Sequence, residues 1–487
     1  MSQTETFEAP PNRSIAFAIL LTASFMNVMD VTIVNVALPT LKSDFDASSN
    51  KIEWVVATYV FVFAVLLLPC GRLGDLLGRR RIFIWGVTVF TVASGLCGMA
   101  WSIDALIGAR VLQGVGAAMM APQAMALIPT LFAPSERGGA FSFFALAAGL
   151  ASVSGPIIGG LLIEGNLFGL DWQPIFLVNV PVGIITVILA FRFVPDVPGN
   201  RNIGIDGVGI FLAGSALFSV LLPLVEAPGI GWKVWMWPFV IAAPLLAIGF
   251  VYWQKRQAAR GGAQLIPVTL LGKKSFLVAV LLTGLLFSGV PGFFLVMAIY
   301  LQDGFGLSPL WSGLTVTPFS VGILLTSPIS NWLGNRHLRA RVVAGALTLA
   351  AAHSTLHFVA IAQTVMYSWA AFAPILFFSG FGLGITAGPL FQIALSGAND
   401  ADSGSASGAA RAIQQVGAAF GIAIMGGLFF WVLGDATPGT HDAYTAALVA
   451  SLYYTISAFL ILAASAFFLR IKLDAGPSQA AEAPIID

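Results

Sequence analysis

Fourteen apolar runs alternate along the chain with short polar connections. They start near Ser14, Ile52, Ile82, Ala105, Gly139 and Pro174, then near Ile205 and Val234. The last six start near Ser275, Ser308, Ala340, Tyr367, Gly404 and Ala443. Each is roughly 20 residues long, the length that crosses the hydrocarbon core of a bilayer as an α-helix. A helix satisfies its own backbone hydrogen bonds where no water can reach them. The pattern therefore predicts an all-α membrane protein with 14 transmembrane helices. An even number of spans puts both termini on one side.

The polar connections are unequal in charge. Eighteen of the 23 Lys and Arg residues fall on the side of the termini. Only Lys42, Lys51 and Lys233 fall on the other, and Arg110 and Arg411 fall inside spans. Cationic connections stay on the cytoplasmic side. Both termini are therefore expected in the cytoplasm, in a multi-pass protein of the inner (cytoplasmic) cell membrane. The first residues, MSQTETFEAPPNR, are polar and too acidic for a signal peptide, so the first span is expected to act as its own insertion signal.

Composition narrows the function classes. Of 487 residues, 58% are apolar and 9% charged, against about 25% charged in soluble domains. A formal net charge of +1 gives no bulk field for nucleic acid. Cys70 and Cys97 lie in or beside spans and read as small apolar residues. There is no GxxxxGK[ST] phosphate loop, no HExxH helix and no CxxC pair. His353 and His357 share a helix face, but no acid lies near them. The reading is therefore no enzyme, no cofactor and no metal; any work is driven by an ion gradient, or the protein is passive.

A weak internal repeat divides the chain. Gly114 and Gly116 precede Pro122 in span four, as Gly380 and Gly382 precede Pro389 in span twelve. If spans seven and eight are an insert, both are the fourth span of a six-span half. The expected organisation is a cytoplasmic tail (1–13), an N-terminal six-helix half (14–195), two inserted transmembrane helices with flanking loops (196–260), a C-terminal six-helix half (261–472) and a cytoplasmic tail (473–487). Two such halves around a central cavity is a transporter layout.

Four stretches carry a family resemblance. Between spans two and three, Gly71, Leu73, Asp75, Gly78, Arg79, Arg80 and Phe83 resemble the loop motif of the major facilitator superfamily, with Gly74 and Leu76 as departures. Met29–Pro39 resembles the first-span signature of its fourteen-span drug:proton antiporters. Arg110–Ala118 resembles the motif assigned there to proton transfer. Gly155, Pro156, Gly159 and Gly160 resemble the antiporter motif, with Ser142 and Ala151 in place of upstream glycines. The resemblance implies the major facilitator fold, its 14 helices arranged 6 + 2 + 6. It also implies a proton-coupled multidrug efflux antiporter that works by alternating access, with Asp75 and Arg79 latching the cytoplasmic ends.

The residues themselves point to the coupling site. A carboxylate inside hydrocarbon costs at least ~2.5 kcal/mol, so Asp30 needs a reason to be there. Counted from the end near Leu38 it lies roughly 12 Å deep, and Arg110 lies roughly 9 Å deep from the same face. Burial favours a protonated Asp30, and a nearby guanidinium favours the ionised form. A group balanced in this way can load and release a proton; the alternative is a static ion pair. Candidate substrate contacts are Asn27, Gln113, Phe294, Arg411 and Gln414. Glu226 reads as an interfacial loop acid. The expected partners are protons, the bilayer and lipophilic, drug-like molecules, cationic ones included, and the expected state is a monomer. The rival reading is a uniporter or importer of a small metabolite with the same fold.

A cysteine introduced at Ser48 should react with an impermeant thiol reagent added outside intact cells, and one at Ser478 should not. The reverse labelling pattern would overturn the orientation.

Overall fold

The computed structural model describes residues 10, 12–133, 136–166, 169–199, 204–266, 268–333, 336–362, 367–396, 403–434 and 440–467. The tail 473–487, most of the tail 1–13, and Arg201, Arg470 and Lys472 lie outside them. Among the described residues there are 14 helices long and apolar enough to cross a membrane, and no strand. They are α1 (Arg13–Asp44), α2 (Ser49–Leu77), α3 (Arg79–Gly98), α4 (Ile103–Leu131), α5 (Arg137–Glu164), α6 (Pro174–Phe193), α7 (Gly207–Ile230), α8 (Trp237–Ala259), α9 (Lys274–Gly304), α10 (Pro309–Leu333), α11 (Leu338–Ala362), α12 (Trp369–Ser396), α13 (Ser403–Leu433) and α14 (His441–Phe467).

The polar stretch Gly71–Arg81 is not a loop. α2 runs on to Leu77 and α3 starts at Arg79, so Gly78 alone separates them. Its φ of 102° lies where a Cβ would clash, which only glycine avoids. The flanking Arg and Leu residues are good helix formers, so the helices continue through a segment that hydropathy alone marks as a connection. α9 is broken for a different reason. Pro291 starts a new helix after Ser288, because a proline cannot donate to the preceding turn. A π-turn, Tyr300–Gly304, then ends the span.

Helix pairing repeats with an offset of eight. α2 and α3 pack on α4, as α10 and α11 pack on α12. α1 packs on α5 as α9 packs on α13, and α3 on α6 as α11 on α14. Between these two sets the main seams are α5·α10 and α2·α13. α7 and α8 pack on each other, and α7 lies against α2 and α13. On α8, Ile241, Leu245 and Ile248 are all more than 60% exposed. An apolar face of that kind suits lipid and not water.

On the face opposite the termini the two sets meet closely. The Gln302 side-chain amide donates to the Val36 carbonyl at 2.8 Å, joining α9 to α1. The Leu310 backbone N–H donates to Glu164 at 3.3 Å, joining α10 to α5. Lys42 of α1 stands over the Phe430 ring of α13 at 5.6 Å. On the terminus-bearing face, Arg13 and Glu136 pair at 2.7 Å within the first set, and the arginine holds the Glu136 carboxyl below the usual carboxylate range. Both side chains are largely solvated, so the pair contributes little.

The stretch Gly155–Gly160 forms the thinnest part of the α5 seam. Gly155 and Gly159 lie against Thr32 and Ile33 of α1, Gly160 lies against Pro309 and Leu310 of α10, and Gly313 of α10 lies against Pro156. A Cβ at position 160 would stand 2.7 Å from the Leu310 nitrogen and 3.0 Å from the Pro309 carbonyl carbon. Backbone cannot yield there as a side chain would. Gly160→Ala should therefore cost about 1–3 kcal/mol and lower the thermal midpoint in detergent. Gly108→Ala is the control, since nothing lies within 4 Å of a Cβ there. Equal midpoints for the two variants would count against a tight seam.

Candidate functional site

Four helices converge on Asp30. α1 carries it fourteen residues before the helix ends at Asp44, or roughly 21 Å at helical rise. It lies farther from the helix end than the sequence suggested, because α1 does not stop near Leu38. Arg110 on α4 donates from Nη1 to Asp30 Oδ2 at 2.6 Å, with both side chains at 1% exposure or less. Gln113, one turn on, donates from Nε2 to Asp30 Oδ1 at 2.7 Å and to Ser94 Oγ of α3 at 2.9 Å. Its carbonyl accepts from Arg110 Nη1 at 2.6 Å. Asn179 of α6 adds a longer bond to Asp30 Oδ1 at 3.4 Å. Arg110 Nε donates to the Val55 carbonyl of α2 at 3.1 Å, and the guanidinium stands over the Tyr59 ring at 4.2 Å.

Two charges removed from water are tolerable only when their mutual attraction is backed by hydrogen bonds on the remaining lone pairs and protons. Both Asp30 oxygens and three Arg110 groups are provided for: the carboxylate, the Gln113 carbonyl and the Val55 carbonyl take the guanidinium protons, while the tyrosine face covers its plane. The arrangement ties Asp30 and Arg110 to α2, α3, α4 and α6 at once.

The other residues singled out from the sequence separate into groups. Gln113 is bonded within the ion-pair network through both N–H groups and its carbonyl. Asn27 is buried one turn before Asp30, with Nδ2 unpartnered and Oδ1 3.5 Å from the Tyr59 hydroxyl. Phe294 of α9 lies edge-on to Phe319 of α10 at 4.8 Å. Arg411 on α13 is exposed, and Gln414 one turn on is half-buried. Glu226 is not in a loop; it lies in α7 and accepts from Asn50 and Trp54 at 2.9 Å and 2.8 Å. His353 is bonded to Thr455 and Ser379, and no metal-binding cluster exists among the described residues.

Asp75 of α2 and Arg79 of α3 pair across Gly78 at 3.0 Å, and Arg79 Nη1 also donates to the Ala126 carbonyl of α4 at 2.6 Å. Arg80 donates to the Phe191 carbonyl of α6. The motif thus binds the terminus-bearing ends of α2, α3, α4 and α6 to one another.

Sequence reasoning passed over Ser94, Asn179 and Tyr59. The available signal was a polar side chain inside an apolar run, which is costly unless partnered. An apolar crevice of about 370 Å³ lies between α1, α5 and α6, lined by Phe25, Met26, Met29, Ile158 and Val182 and reaching Asn179.

The comparisons with known proteins agree with this architecture. The family model described as Major Facilitator Superfamily matches residues 20–207 and 205–422. The chain is 37% identical to the "Probable actinorhodin transporter" of Streptomyces coelicolor, over 90% of this chain and 76% of that protein. It is 33% identical to the "Cephamycin export protein" of Amycolatopsis lactamdurans, over 90% of this chain and 89% of the other. Among solved structures, a bacterial homolog of the human lysosomal transporter Spinster, in an inward-facing, unoccupied conformation, superposes with a TM-score of 0.65. That match has 16% identity and covers 94% of this chain and 97% of the other.

Arg110→Gln alone strands a buried carboxylate and should cost about 3–5 kcal/mol. Adding Asp30→Asn should recover most of that loss, read as the thermal midpoint of each variant in detergent. A double variant no more stable than the single one would mean the pair is not what the fold depends on here.

Proposed function

The chain belongs to the Major Facilitator Superfamily, and from that premise we propose that it is a proton-coupled exporter of lipophilic small molecules. The observation that carries this reading is the fully buried Asp30–Arg110–Gln113 network inside a transporter fold. When Asp30 takes a proton, the charge pair is lost and Arg110 keeps only neutral partners. That leaves an isolated cation in hydrocarbon, which favours rearrangement of the helices around it. Loss of the proton restores the pair. A two-state protein whose two forms differ in proton affinity in this way converts a proton gradient into a conformational cycle.

The moving parts in this proposal are the N-terminal half (14–195) and the C-terminal half (261–472), with 196–260 as the insert. They rock against each other at the α5·α10 and α2·α13 seams, exposing a central site first to one side and then to the other. Asp75, Arg79 and Arg80 stiffen the terminus-bearing end of the first half. The charge bias of the connections supports a cytoplasmic position for that end. The names of the relatives, a transporter for actinorhodin and an export protein for cephamycin, support export of small organic compounds. The apolar crevice beside Asn179 supports lipophilic ones. Since Asp30 is engaged by Arg110, neutral compounds are the primary class, and cations enter when the pair has opened.

Asp30→Asn keeps the size and hydrogen-bonding capacity of the side chain but cannot carry the proton. In proteoliposomes with an imposed proton gradient, uphill substrate accumulation should vanish while substrate binding persists. Arg110→Ala should also impair export. Uphill transport by Asp30→Asn at the wild-type rate and pH dependence would place coupling elsewhere. Gradient-independent equilibration by the wild type would favour a uniporter.

A further inference from the structure

Glu53 is the fifth residue of α2, on the face opposite the termini. It is fully buried, and neither of its carboxyl oxygens has a hydrogen-bond partner. Gly426 of α13 packs directly on it, so that a Cβ there would stand 2.8 Å from Glu53 Cδ. The carboxyl is thus enclosed in the α2·α13 seam, where the two sets of helices meet.

Among the described residues, its neighbours supply no counter-charge. Glu226 of α7 is close by, held by Asn50 and Trp54, the residues that flank Glu53. α13 presents Gly426 to it and has no charged side chain from there to Leu433. Lys42 of α1 stands over Phe430, Lys51 is bonded to Asp104 of α4, and Arg110 is bonded to Asp30. Two carboxyls therefore sit in contrasting surroundings, one accepting two N–H bonds and the other none. A carboxylate with no protein donor and no cation beside it is far costlier to bury than the neutral acid, so the closed seam requires Glu53 as the acid. The Asp30 cycle proposed above makes no use of it.

We infer that Glu53 is a second proton-binding site, which holds its proton while the α2·α13 seam is closed and gives it up to water when the seam opens. On opening, the O–H bond breaks, the proton passes to water and the carboxylate is hydrated. On closing, the same carboxylate takes a proton back from the same compartment. Glu53 therefore adds nothing to the protons carried across the membrane; it makes closure of that face easier in acid. The inference rests on the alternating-access reading, but not on Asp30 as the carrier.

The test measures seam opening without substrate. In a Cys70→Ala/Cys97→Ala background, Phe430→Cys places a thiol one turn beyond Gly426, and its labelling rate in detergent is followed from roughly pH 5 to pH 9, corrected with a free thiol for the reagent's own pH dependence. With Glu53 present, the corrected rate should rise by about tenfold per pH unit across the transition, since each unit changes the protonated fraction by that factor. Glu53→Gln should label at the low-pH rate throughout, and so should Glu53→Met if the Gln variant does not elute as a single species. The infrared C=O band of a protonated carboxyl should be lost in the same variants. Glu226→Gln and Asp30→Asn should both keep the rise. A rise that survives in Glu53→Gln, or is absent with Glu53 in place, sinks the inference. A rise abolished only in Asp30→Asn would also sink it while leaving the transport reading intact.

Discussion

A carboxylate and a guanidinium 2.6 Å apart at the centre of the first six helices set a condition that the surrounding sequence has to meet. Neither charge is reached by solvent, so every remaining lone pair and proton must be met by protein. That requirement explains why Gln113 and Ser94 face inward from α4 and α3, why Asn179 of α6 reaches the same point, and why the Tyr59 ring of α2 lies beneath Arg110. Polar residues that look scattered along five helices are one network. Removing either charge alone leaves the other without its counter-charge in hydrocarbon.

The seams follow a different rule. In hydrocarbon there is little hydrophobic gain from bringing helices together, so association depends on close backbone approach. Gly155, Gly159 and Gly160 bring α5 against α1 and α10, and Gly417 and Gly421 bring α13 against the Gly284 and Ser288 backbones of α9. Contacts of this kind are made of shape and not of charge. A titratable exception is Glu53, set into such a surface opposite Gly426.

Much of this was legible in the sequence because it is local. Apolar run length gave fourteen spans, and the structure has 14. Asp30 and Arg110 stood out as charges inside such runs. What escaped was non-local or masked by composition. The stretch around Gly78 is polar, so it reads as a connection, yet its residues favour helix and need only one glycine to turn. Glu53 sits in a polar-looking segment, SSNKIEW, and drew no attention in the sequence; it packs against Gly426 of α13. Its acidic neighbour Glu226 is held by Trp54, 172 positions away along the chain. No periodicity within α2 reports that α13 and α7 will cover it.

α7 gives the two seams different surroundings. They are equivalent under the helix-pair repeat, but α7 lies along α2 and α13, while among the described residues no helix packs comparably over α5 and α10. The chain therefore meets the bilayer lopsidedly. One flank of the junction between its two sets of helices is upholstered with its own helices, and the other is left to the acyl chains of a bilayer. The mechanical response of the molecule inherits that asymmetry: bilayer thickness and lateral pressure act directly on one flank and through a protein cushion on the other.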